Sequence, residues 1–144
     1  MGKVLAVCTS QEKGETKNDV GEAMLLVNHG LEGDAHAGDW HRQVSLLSLD
    51  SINKMRDKGA DVWYGDFAEN LTIEGIELFT LPIGTRLKVG SGVELEVTQI
   101  GKKCHAGCAI MQQVGDCVMP REGIFAKVIT GGKVKNGDDI EVIA

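Results

Sequence analysis

The 144 residues are enough for one hydrophobic core, and residues 1–144 read as a single domain. With 42% hydrophobic residues but only 4% aromatics, aliphatic side chains must fill that core. A net charge of −6 argues against nonspecific nucleic-acid binding, which draws its affinity from a basic surface. No stretch reaches the roughly 20 apolar residues that a membrane-spanning helix requires. The opening MGKVLAVCTS has neither the long apolar region nor the small-residue cleavage site of a secretory signal, so the expected location is the cytoplasm. In that reducing compartment the four cysteines, Cys8, Cys104, Cys108 and Cys117, should not form disulfides.

In chain order, the apolar run 3–8 predicts a buried strand, and the polar run 11–18 a loop. Residues 22–31 predict a strand and a turn at His29-Gly30, followed by an irregular Gly- and Asp-rich stretch, 32–39. Residues 43–49 (QVSLLSL) predict a core strand. Asp50 can then cap a helix over 51–58, closed by Gly59, with Ile52 and Met55 on one face. Short strands are predicted at 71–73, 86–89, 93–100, 124–129 and 139–143. Val93-Glu94-Leu95-Glu96-Val97-Thr98 alternates strictly, the mark of a strand with one wet face. Gly90-Ser91-Gly92 reads as a hairpin turn, and Gly131-Gly132 as a second. Many short strands and one clear helix predict a mostly β fold, a barrel or a sandwich.

Three stretches carry residues suited to chemistry. In Gly33-Asp34-Ala35-His36-Ala37-Gly38-Asp39-Trp40-His41-Arg42, two histidines and an arginine share a Gly-rich loop. Arg42 can hold a phosphate or carboxylate through its planar fork, with His36 and His41 lining an anion pocket. The plainer alternative is a polar loop in which Asp and Gly make turns. In Asp66-Phe67-Ala68-Glu69-Asn70-Leu71-Thr72, Glu69 and Asn70 are candidate ligand contacts, or equally residues that tie down backbone groups at a strand start. The third stretch is Gly101-Lys102-Lys103-Cys104-His105-Ala106-Gly107-Cys108, with Cys117 and Arg121 beyond it. Positive charge beside a cysteine favours the reactive thiolate, which makes Cys104 a candidate nucleophile or sulfur carrier. Cys104, His105, Cys108 and Cys117 also allow a zinc site, although their spacing matches none of the usual paired knuckles. For Cys8, inside an apolar run, simple burial is the expectation.

Taken in order, these motifs resemble the MOSC family, named for the C-terminal domain of molybdenum cofactor sulfurases. The resemblance runs from Gly33-Asp34-Ala35-His36 through His41-Arg42-Gln43-Val44, Asp66 to Thr72, Leu81-Pro82-Ile83-Gly84 and residues 101–108. It continues to Gly123-Ile124-Phe125-Ala126-Lys127-Val128 and Gly137-Asp138. It implies a closed, mostly β barrel of short strands with one or a few short helices. It also implies one cysteine, matching Cys104 here, that carries sulfur as a persulfide or ligates cofactor molybdenum. His36, His41, Arg42, Glu69, Asn70, Lys103, Cys108 and Cys117 would line the cofactor site. Many members place Arg and Pro before that cysteine where this chain has Lys102-Lys103, and Cys108 and Cys117 are additional thiols. The implied ligand is the molybdenum cofactor (molybdopterin), with no PLP, NAD or flavin. The implied partners are cofactor-biosynthesis proteins or a cysteine desulfurase, with neither nucleic acid nor membrane. Two other readings stand beside this one: a molybdenum-dependent reductase component acting on N-hydroxylated compounds, and a structural zinc protein.

Overall fold

The computed structural model describes residues 2–12, 16–101 and 122–143. The elements are β1 (Gly2–Thr9), β2 (Asn18–Asp19), β3 (Glu22–Leu26), β4 (Gly30–Leu31), β5 (Val44–Ser48), α1 (Leu49–Asp57) and β6 (Leu71–Glu74). Among the described residues a 3-10 turn (Leu78–Thr80), β7 (Arg86–Val89), β8 (Val93–Ile100), β9 (Ile124–Thr130), β10 (Gly132–Lys135) and β11 (Asp139–Val142) follow. Seven strands close on themselves in the cyclic order β11-β7-β8-β9-β5-β6-β1, the ring being sealed by β1 against β11, where Gly2 faces Ile140. The fold is thus the closed, mostly β barrel that the sequence leads one to expect.

Six of the seven contacts around the ring are antiparallel, and β5 with β6 is parallel. A parallel pair needs a crossover connection, and α1 supplies it. This explains why all five residues of β5 are buried. Val44 and Leu46 point into the barrel, while Leu47 packs outward under α1 with Ile52, Met55, Phe67 and Phe125. On β8 the alternation holds as predicted. Val93, Leu95 and Val97 fill the interior, and Glu94 and Glu96 point out. There Glu96 pairs with Arg86 at 3.0 Å and Lys127 at 3.3 Å. A separate three-stranded sheet, β10-β3-β4, contributes Leu25, Leu31 and Val134 to the same core.

Two expectations need correction. Asp50 is not the helix cap: the helix begins at Leu49, Ser48 holds the N-cap position, and Asp50 lies in the first turn. The Ser48 hydroxyl is committed elsewhere, donating to Ile76 O at 2.8 Å. Nor is Gly131-Gly132 a hairpin turn, because β10 leaves β9 and pairs with β3. A Cβ at Gly131 would stand 2.6 Å from Leu25 O, so glycine there permits the change of sheet. No helix among the described residues is long and apolar enough to cross a membrane.

Candidate functional site

The site is organised where β8 ends. Along β8 and β9 the register shifts between Val97 and Gln99, so that Val97 faces Ala126 while Gln99 faces Phe125. Thr98 is the extra residue of a β-bulge, a device that re-aims the side chain following it. Without the bulge, parity would turn Gln99 inward after Val93, Leu95 and Val97. With it, Gln99 shares the outer face with Phe125. Gln99 Oε1 lies 2.8 Å from His41 Nε2 and accepts from Arg42 Nε at 3.2 Å. The amide nitrogen of Gln99 donates to Gly101 O at 2.7 Å. The Thr98 hydroxyl touches the His41 carbonyl as well, and Phe125 O at 3.1 Å.

Arg42 lies near two rings, its guanidinium carbon 5.9 Å from the Trp40 centroid and 5.2 Å from that of Phe125. Both distances lie within cation–π range. Among the described residues, hydrogen bonding engages only the Nε of this guanidinium. His41 meets the Trp40 ring edge-on, with centroids 5.8 Å apart.

His36 belongs to a second cluster. Lys17 and Asp34 form an ion pair at 2.7 Å with both side chains fully enclosed. The three ammonium protons of Lys17 go to Asp34, to Ser10 Oγ at 3.1 Å and to His36 Nδ1 at 3.0 Å. Burial works to raise the Asp34 carboxyl, but the Lys17 ammonium and the Ser10 N–H outweigh it and hold that carboxyl below its usual range. The loop is wired onto the same carboxylate, since His36 N donates to Asp34 Oδ2 at 3.2 Å. Trp40 links the clusters by donating from its indole to His36 O at 2.8 Å. The structure therefore brings His41 and Arg42 together on Gln99 and sets His36 against Lys17.

Glu69 and Asn70 are buried at the start of β6. Glu69 accepts from Gly65 N at 3.0 Å, Phe67 N at 3.2 Å and the Thr72 hydroxyl at 2.8 Å. Burial pushes its carboxyl upward despite these bonds. Asn70 accepts from Ser45 N at 2.9 Å and donates to Cys8 O at 3.1 Å. These bonds tie β1, β5 and β6 together at one end of the barrel. Cys8 is fully buried, and burial with the nearby Glu69 and Asp19 charges pushes its thiol up to about 12.

Cys104, Lys103, Cys108 and Cys117, with Lys102, His105 and Arg121, lie outside the described residues. The two ends of that segment are described. Gly101 N donates to Gly123 O at 2.6 Å, so the chain leaves and re-enters the barrel side by side. At the returning end the buried Glu122 carboxylate accepts from the Ser51 hydroxyl at 2.6 Å and from Lys54 at 3.0 Å, both on α1. Sequence reasoning missed Gln99, Lys17 and Ser10. For Gln99 a signal existed: the strict alternation through Val97 gives way to Thr98-Gln99 at the strand's end. Lys17 carried none, because a polar loop gives no hint that one lysine is enclosed.

A family model described as the MOSC domain matches residues 32–141. Among solved structures, the YuaD protein from Bacillus subtilis superposes with a TM-score of 0.81 at 20% identity, covering 99% of this chain and 96% of that one. YiiM from Geobacillus stearothermophilus gives 0.74 at 15% identity, covering 100% and 76%. YiiM from Escherichia coli gives 0.69 at 21% identity, covering 100% and 70%. No curated protein matches the sequence.

Proposed function

Since this chain belongs to the MOSC domain family, we propose that it is a sulfur-carrier or molybdenum-cofactor-binding module whose working thiol is Cys104. One observation carries the reading: Gln99 gathers His41 and Arg42 at Gly101, three residues before Cys104. Three residues of chain span at most about 11 Å, so the sequence keeps Cys104 within that reach of Gly101.

The described residues fit the anionic end of such a cofactor. Arg42 has its Nη edge unengaged among them, the edge through which a guanidinium binds a phosphate such as a pterin's. Lys17 does not contribute, because Asp34 neutralises it. When bound, the cofactor supplies the molybdenum centre, and Cys104 is the thiolate available to ligate it. In the carrier role, the Cys104 thiolate takes a sulfane sulfur from a cysteine desulfurase persulfide and returns the donor to a thiol. Both roles belong in a reducing cytoplasm, with cofactor-biosynthesis proteins as recipients. Lys103, Cys108, Cys117 and His36 complete the proposed surroundings. Glu69 and Asn70 support them from the base of β6.

The test is direct. Incubated with a cysteine desulfurase and cysteine, the protein should gain one sulfur by intact mass, located by peptide mapping at Cys104 and lost in Cys104→Ala. No gain, or an equal gain in the variant, removes the carrier role. Stoichiometric molybdenum in protein from a cofactor-producing host would support the cofactor-binding role.

A further inference from the structure

Of the five asparagines in the chain, Asn136 alone is followed by glycine. That dipeptide is the least hindered setting for attack by a backbone nitrogen on the preceding side-chain amide, because Gly137 has no Cβ to stand in the way. Between β10 and β11 it forms an exposed turn, in which Asp138 N donates to Lys135 O at 3.1 Å and Gly137 has a φ of +92°. The groups that such an attack uses are already engaged. Gly137 N donates to Val4 O at 2.7 Å. The Asn136 amide is held at both ends: Oδ1 accepts from Val7 N at 2.9 Å, and Nδ2 donates to Asp19 Oδ1 at 3.1 Å and Oδ2 at 3.2 Å. Its main-chain N donates to Gly21 O at 2.9 Å. One asparagine thus fastens β1, β2 and the residue before β3 to the turn that leads into β11.

We propose that Asn136-Gly137 is a deamidation site that the fold holds latent, and that its conversion unfastens β1 and β2 from the β10–β11 turn. Gly137 N, released from Val4 O and stripped of its proton, attacks Asn136 Cγ. The N–Cγ bond forms, the Cγ–Nδ2 bond breaks, and ammonia leaves carrying the proton. Water then opens the cyclic imide at one of its two carbonyls. Breaking the new N–Cγ bond gives aspartate, and breaking the original peptide bond gives isoaspartate, with the main chain rerouted through the side chain. The attack waits on local opening, because the bonds to Val4, Val7 and Asp19 must part before the nitrogen and the amide can meet. The product does not refasten. An oxygen replaces the Nδ2 donor and faces the two Asp19 oxygens, so two hydrogen bonds give way to a repulsion between like charges. Isoaspartate in addition lengthens the main chain between the Gly21 and Val4 contacts. Nothing in this chemistry involves Cys104.

The experiment uses the full chain, incubated at mildly alkaline pH both native and in urea. Peptide mapping then separates asparagine, aspartate and isoaspartate at every asparagine position. In urea, conversion at Asn136 should outrun that at Asn18, Asn28, Asn53 and Asn70. In the native protein it should be several-fold slower than in urea. Asp19→Ala, which frees Nδ2, should speed the native conversion and leave the rate in urea at the parent's. Asn136→Asp, which mimics the aspartate product, should lower the urea midpoint. Adding Asp19→Asn should restore it, since donor and acceptor have then changed places. Equal rates for the native and unfolded parent overturn the latency, and that comparison needs no variant to fold. Faster conversion of another asparagine in urea overturns the choice of site. A midpoint unchanged by Asn136→Asp, or a double variant no better than the single, overturns the unfastening.

Discussion

Lys17 and Asp34 meet 2.7 Å apart with no solvent exposure of either side chain. Removing one partner from such a pair strands a charge in a low-dielectric interior. Lys17→Met should therefore destabilise the fold by about 3–5 kcal/mol, and the double change Lys17→Met, Asp34→Leu should recover most of that loss, as read from urea unfolding. The pair also predicts a pH dependence. The Asp34 carboxyl is held below its ordinary value of 3.8 in the folded state, with burial opposing and the Lys17 interactions prevailing. Its contribution is complete above that value and is lost as pH falls through the lower, folded one. Glu69, raised by burial, acts in the opposite sense, gaining stability on acidification. Comparing urea midpoints of the parent and the double variant keeps Glu69 constant, and the variant should show the flatter loss below about pH 4. Cys8 offers a third check at this scale. A buried thiol pushed up to about 12 is almost wholly protonated at neutral pH. Alkylation should reach Cys8 only in denaturant, and rapid labelling of the native protein would contradict its place in β1.

At the level of elements, the junction between the segment leading into β2 and the loop before β6 depends on Gly65. Its φ is +85°, and a Cβ there would stand 2.0 Å from Lys17 O. Gly65→Ala must break that approach as well as strain the backbone, so it should cost at least about 2 kcal/mol by thermal or urea unfolding. A cost below half of that would show that the loop can relax. The strands that alternate were legible from sequence because one face meets water. β7 and β8 fall where residues 86–89 and 93–100 predict them. β5 was legible as an apolar run, but its double burial depends on α1 lying over Leu47, a tertiary fact. β2 and β10 were not legible. Asn18–Asp19 is a two-residue polar strand defined by its pairing with Cys8 and Thr9. Gly132–Lys135 follows a Gly-Gly pair that elsewhere would signal a hairpin. In the site, His41 and Arg42 stood out by residue type, whereas their convergence on Gln99 needs the bulge at Thr98, which appears only once β9 is alongside.

For the whole molecule, closure depends on β11 lying between β1 and β7, with Ile140 fully buried. A chain stopped after Asp138 would expose two strand edges and lose that core residue. It should fail to give the parent's circular dichroism and should aggregate, whereas Lys3→Ala, which removes the exposed pair with Asp139, should leave the urea midpoint close to the parent's. The neck formed by Gly101 and Gly123 has a different kind of consequence. Because β8 and β9 are already zipped together up to that point, the stretch between them is spliced onto a finished hairpin. Lengthening a loop whose ends are already fixed costs little, roughly 0.6 kcal/mol for each doubling. The barrel can thus serve as a chassis on which the cysteine-bearing insert is exchangeable. Replacing residues 102–121 with a short Gly-Ser connector should leave the dichroism spectrum of the barrel intact while abolishing sulfur loading. On that outcome the chemistry beyond this neck would be separable from the fold beneath it.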